Sequence, residues 1–145
     1  MHQEEDNWMP LESNPEVINE FIGKMGLKLT EFNFQEMLSI EEWAQEMLPQ
    51  PVLGIMLCYE VTPVQSDFKK TQEPTLNIEG VPQEIFYMKQ YAQNACGTIA
   101  LFHIILNAMS NHPDLVTADS YLAKFKNECT TKNPEEKGKI FQTNK

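Results

Sequence analysis

Gln90-Tyr91-Ala92-Gln93-Asn94-Ala95-Cys96-Gly97-Thr98 is followed directly by Ile99-Ala100-Leu101-Phe102-His103-Ile104-Ile105-Leu106-Asn107-Ala108-Met109. Apolar residues at 99–102, 104–106, 108 and 109 cover almost every face of a helix over 95–109. A helix apolar all round is central and surrounded by protein. Asn94 reads as its N-cap. Cys96 then lies in the first turn, at about the second helical position. Unpaired N–H groups and the macrodipole at such a terminus favour negative charge, and the thiolate is the form that attacks a carbonyl. Gly97 lets a substrate backbone come close. Six residues upstream, the Gln90 amide can donate to the oxyanion of a tetrahedral intermediate. The competing reading makes Cys96 a small core residue and Gln90 an ordinary polar one, and on the residues alone the two stand level.

Around this centre the helix signals are clear. Asn14 as cap, Pro15 at the first position and Gly26 as terminator bound a helix over 14–26. Val17, Ile18, Phe21, Ile22 and Met25 share one of its faces. Ser39 and Glu42 have capping-box spacing for a short helix that stops before Pro49. A helix over 118–128 follows Thr117 and carries Tyr121, Leu122 and Phe125. Asn133-Pro134-Glu135-Glu136 is a strong helix start. Phe32 to Leu38 is a strand candidate. Val52 to Val61, nearly all apolar, reads as a strand buried on both faces, which makes Cys58 an inert core thiol. Thr62 to Glu84 is polar with three prolines and reads as a long surface loop. Ile85 to Lys89 reads as a short extended segment.

Composition narrows the classes. The chain has 145 residues, enough for one domain (1–145) with a real core. Asp+Glu number 21 against Lys+Arg 11, a net charge of −10. Phosphate contacts need a basic surface, so nucleic-acid binding is disfavoured. No apolar run reaches the roughly 18 residues of a membrane span. The acidic start Met1-His2-Gln3-Glu4-Glu5-Asp6 is no signal peptide. Three cysteines without CxxC spacing argue against a disulfide framework and a zinc site. A reducing, cytoplasmic setting is expected.

Phe86-Tyr87-Met88-Lys89-Gln90 followed by Asn94-Ala95-Cys96-Gly97-Thr98-Ile99-Ala100-Leu101-Phe102-His103 resembles the active-site segment of the ubiquitin C-terminal hydrolases, deubiquitinating cysteine peptidases of papain-like arrangement. Trp8 to Val17 resembles the opening segment of that family, and Pro134-Glu135-Glu136 a helix start before its crossover loop. The resemblance is collinear over nearly the whole chain. It implies an α/β (α+β) fold with an antiparallel sheet between helical layers, Cys96 as nucleophile and Gln90 in the oxyanion hole. It also implies that Pro10, Leu11, Glu12, Ser13, Asn14 and Pro15 contact ubiquitin. The implied reaction is hydrolysis after the C-terminal glycine of ubiquitin or a ubiquitin-like modifier, with no metal or organic cofactor. The basic tail of ubiquitin suits a chain of this charge.

The family's catalytic His and orienting Asp lie downstream of the positions this chain matches. His103 is no substitute: seven residues along a helix is about 10 Å, and a general base needs about 3 Å. It reads as a helix histidine with a structural partner. His112 is farther still, and His2 lies in a terminus where a functional role is not expected. Asp114 and Asp119 have no histidine to orient. The chain therefore reads as the N-terminal portion of a hydrolase domain. Without the segment that follows in the family, an apolar edge at Val52–Val61 and part of helix 95–109 are expected to lie open. A non-catalytic ubiquitin-binding homologue, or a truncated product of low stability, stand as alternatives to an active hydrolase.

Overall fold

The computed structural model describes residues 8–75 and 84–144. Its elements in chain order are α1 (Pro15–Lys24), α2 (Glu42–Glu46), α3 (Pro63–Gln72), α4 (Cys96–Ala108), α5 (Tyr121–Glu128) and α6 (Pro134–Thr143), with 3-10 turns at Glu73–Thr75 and Pro113–Leu115.

The helix at 15–24 begins and ends where its sequence says. Asn14 accepts a hydrogen bond from the Glu16 N–H at 2.9 Å, and Pro15 opens the first turn. Gly26 follows in the left-handed region, at φ 114°, and any Cβ there would collide with the Ser120 side chain. The freed chain crosses to the start of α5: Thr117 N–H donates to Gly26 O at 2.8 Å, and an antiparallel bridge joins Leu27 and Val116. Ile18 and Ile22 are the buried residues of α1.

Helix α4 is the centre of the core. Thr98, Ile99, Leu101, Phe102, Ile105 and Leu106 are buried along it. Phe102 meets Phe125 of α5 edge-on at 5.2 Å and Phe141 of α6 at 5.3 Å. Such pairs add about 0.5–1.5 kcal/mol beyond the area they bury. Trp8 stacks on the other side of this cluster, 4.5 Å from Phe141. Helix α6 owes its start to a capping box, in which Asn133 accepts from Glu136 N–H and the Glu136 carboxylate accepts from Asn133 N–H. Ser120 caps α5 through the Ala123 N–H.

Two asparagine side chains do what strand pairing would otherwise do. Asn19 accepts from Phe34 N–H at 2.8 Å and donates to Phe34 O at 2.9 Å. Asn107 does the same to Phe86, at 2.7 and 2.9 Å. Each primary amide thus matches both backbone groups of one extended residue.

Several sequence expectations fail here. The antiparallel sheet is not formed among the described residues, and neither Phe32–Leu38 nor Val52–Val61 is a strand. Val52–Val61 is not buried on both faces either: Ile55 is 71% exposed and Leu57 77%. No backbone hydrogen bond among the described residues ties 52–61 to another extended segment, and a strand exists only through such pairing. Only the inner side is covered, where Gly54 lies against Ile104 of α4. Tyr59 and Val61 are exposed as well, and Cys58 among them is exposed rather than a core thiol. The stretch expected as a loop over 62–84 holds helix α3, because Thr62 and Gln65 form a reciprocal capping box and Pro63 takes the first position; residues 76–83 of it lie outside the described residues. Ser39 does not cap α2: its hydroxyl accepts from Glu41 N–H at 3.1 Å, and the helix starts one residue beyond.

Candidate active site at the start of the central helix

Cys96 is the first residue of α4, not the second, and it is exposed. The expected Asn94 cap is absent. Asn94 instead takes φ 59°, a left-handed conformation that asparagine tolerates better than most residues. The N-cap is Ala95, which has no side chain to bond the first-turn amides. A buried apolar helix therefore begins with its N–H groups uncapped and a thiol at its first position. That is where a developing negative charge gains most from backbone donors and the helix dipole.

Gln90 lies on an extended segment, 86–91, joined to Cys96 by the turn at 92–95. It is exposed, and its amide donates to Ala92 O at 3.1 Å. The segment is fixed from two sides. On the α4 side, Asn107 holds Phe86, and His103 Nε2 accepts from Met88 N–H at 3.1 Å. On the α6 side, Lys89 N–H donates to Pro134 O at 2.9 Å, and Lys89 Nζ reaches Glu135 at 2.7 Å. Phe86 and Met88 are buried between the helices.

The 10–15 segment divides. Leu11 packs on the first turn of α4: a Cβ on Gly97 would lie 3.1 Å from Leu11 Cβ. Asn14 and Pro15 are occupied in starting α1. Pro10, Glu12 and Ser13 are exposed. One side of the segment thus touches the thiol-bearing turn while its polar side faces solvent.

His103 is held as a neutral acceptor. Burial pushes its pKa below the ordinary value, and the Nε2 lone pair that accepts the Met88 N–H exists only on the neutral ring. Its ring stacks on Tyr87 at 5.2 Å. It has the structural partner its position implied. His112 rests edge-on against Phe32, 5.4 Å away. Asp119 takes φ 61° ahead of α5. His2 lies outside the described residues. Cys129, at the end of α5, is buried, and burial together with Glu128 pushes its thiol up to about 11. No cluster of His, Cys, Asp and Glu among the described residues could hold a metal ion. An open apolar groove of about 530 Å³ runs between 32–37, 48–58 and the Ile104 side of α4, and neither Cys96 nor Gln90 lines it. No described helix is long and apolar enough to cross a membrane.

The residues that fix the Gln90 segment had only faint sequence signals. Asn107, one turn after His103, is a polar interruption in an apolar helix. Gly138 is a glycine inside α6.

The sequence profile of the family described as ubiquitin carboxyl-terminal hydrolase, family 1, matches residues 8–145, and the chain belongs to that family. Among named relatives, it is 31% identical over 136 residues to ubiquitin carboxyl-terminal hydrolase 3 of Arabidopsis thaliana, covering 93% of this chain and 57% of that protein. It is 32% identical over 136 residues to the isozyme L1 of Rattus norvegicus, covering 93% of this chain and 59% of that protein, and equally to the isozyme L1 of Homo sapiens. The chain thus spans less than two thirds of the length of these relatives.

Proposed function

We propose that this protein acts in deubiquitination, as a thiol hydrolase that cleaves the bond after the C-terminal glycine of ubiquitin or a ubiquitin-like modifier. Cys96 is the nucleophile in this reading. Its sulfur adds to the scissile carbonyl, and the oxyanion that forms takes hydrogen bonds from the Gln90 amide and the uncapped amides at the start of α4. Collapse of the intermediate breaks the C–N bond, the proton lost by the thiol ends on the departing amine, and the thioester left behind is cleaved at its C–S bond by water, which gives the carboxylate and restores the thiol. The 10–15 segment contacts the modifier beside the thiol. The three free cysteines suit a reducing, cytoplasmic setting. The papain-like α/β fold of the family is part of this reading, with Val52–Val61 as the segment that would join its sheet.

One observation carries the proposal: an exposed cysteine stands at the uncapped start of the buried helix, with Leu11 packed on the next residue. Hydrolysis of a fluorogenic ubiquitin C-terminal amide tests it. Turnover that disappears in Cys96→Ala and falls about 10²- to 10³-fold in Gln90→Ala supports it. No turnover by the wild-type chain at high concentration contradicts it.

A second reading is ubiquitin binding without turnover. It is favoured by the two described histidines, since His103 is committed to Met88 and His112 packs on Phe32, beyond the far end of α4. Turnover requires a base to take the thiol proton. Binding of ubiquitin at 10–15, mapped by NMR shifts and unaccompanied by hydrolysis, is what this second reading requires.

A further inference from the structure

We propose that Gly138 of α6 is a positioning residue for the reaction: it is the floor on which both neighbours of Gln90 rest, and it fixes where the Gln90 amide reaches. The proposal rests on the reading of Gln90 as the oxyanion donor.

Gly138 is buried in the middle of α6. A Cβ built there would overlap the Lys89 carbonyl oxygen and lie 2.9 Å from Tyr91 Cδ2. The residue before Gln90 and the residue after it therefore both sit in the space a side chain would take. Glycine inside a helix is unfavourable relative to alanine, and the close approach of Lys89 is what its lack of a side chain permits. One turn earlier, Pro134 O accepts from Lys89 N–H at 2.9 Å, and Glu135 pairs with Lys89 Nζ at 2.7 Å. On the opposite side His103 holds Met88. The 86–91 segment is clamped between two helices, and α4, which carries Cys96, is one of them. A side chain at 138 pushes Lys89 off α6 and carries Gln90 with it. A misplacement of about 1 Å in catalytic geometry can cost on the order of 10²-fold.

Binding of ubiquitin aldehyde reads this directly, and turnover is not needed. The Cys96 thiol adds across the aldehyde carbonyl: the S–C bond forms, the C=O becomes C–O, and the thiol proton ends on that oxygen. The resulting hemithioacetal oxygen occupies the oxyanion position. Unmodified ubiquitin provides the reference, because it uses the same docking surface without the covalent step. The expected result is that Gly138→Ala weakens aldehyde binding about 10-fold and Gly138→Val about 10²-fold. Unmodified ubiquitin should bind within about two-fold of wild type in both. In a Gln90→Ala background neither substitution should weaken aldehyde binding further, since residues acting through one group are not additive.

Equal losses for aldehyde and unmodified ubiquitin would overturn the proposal, as would losses that persist in Gln90→Ala or wild-type aldehyde affinity in folded variants. Wild-type aldehyde affinity in Gln90→Ala itself would instead overturn the oxyanion assignment, and Gly138's role with it. Should the Gly138 variants fail to unfold cooperatively, Lys89→Met removes only the exposed tether to Glu135. It should weaken aldehyde binding about two-fold, an effect absent in the Gln90→Ala background; no change in the wild-type background counts against the proposal.

Discussion

Met88 donates its backbone N–H to His103 Nε2 at 3.1 Å, so the central helix holds the chain two residues before Gln90 through an imidazole that must stay neutral. A protonated ring has no lone pair to offer at that nitrogen.

The consequence for stability has a definite sign. Burial sets the folded pKa of His103 below its ordinary value of 6.5. As pH falls, the unfolded chain takes up the proton first. The contribution is complete above the unfolded value and is lost as pH drops through it toward the folded value. Thermal midpoints recorded between about pH 5 and 8 should rise with pH, and the slope should flatten in His103→Gln. Imidazole shifts followed by NMR should place the His103 midpoint below that of a model histidine.

Asn107 supports the same segment with three hydrogen bonds, two to Phe86 and one, at 2.7 Å, to His103 O. Asn107→Leu strands the Phe86 backbone groups, a loss of about 2–4 kcal/mol by the usual cost of unpaired buried groups. Urea unfolding should show it as a lower midpoint at unchanged slope.

Gly26 holds φ 114° with Ser120 where a Cβ would be. Gly26→Ala should destabilise by at least about 1–3 kcal/mol, the range for a strained backbone conformation. Shortening the neighbour as well, in Gly26→Ala with Ser120→Gly, should recover only the steric part.

The three thiols should differ in reactivity. Cys129 is buried with its thiol raised to about 11, whereas Cys58 and Cys96 are exposed. Timed alkylation with iodoacetamide at pH 7.5, read by peptide mass spectrometry, should modify Cys58 and Cys96 early and Cys129 only on unfolding.

The helices were legible where the end signals were local. Asn14 and Gly26 for α1, and Asn133 with Glu136 for α6, act within four residues of their targets, so spacing alone finds them. Thr62 and Gln65 offered the same signal for α3, but the polar, proline-bearing stretch around them reads as a loop. Val52–Val61 failed for a different reason. Its composition records a preference for burial, yet burial depends on partners elsewhere in the fold, which no local pattern supplies. At the site, the helix that starts at Cys96 was legible from its nearly unbroken apolar run, while its cap was not: Asn94 is a good cap residue by type, but the turn from Gln90 places it in a left-handed conformation one residue too early. The contact of Leu11 with Gly97 and that of Gly138 with Lys89 join residues far apart in sequence, and a lone glycine does not say what approaches it.

The most direct measurement is labelling by ubiquitin that carries a C-terminal electrophile, followed by mass spectrometry of the adduct. The expected result is a single adduct at Cys96, lost in Cys96→Ala, unchanged in Cys58→Ser, and slowed in Gln90→Ala. No adduct with the folded protein, or an adduct at exposed Cys58 in place of Cys96, would contradict the assignment of Cys96 as the nucleophile.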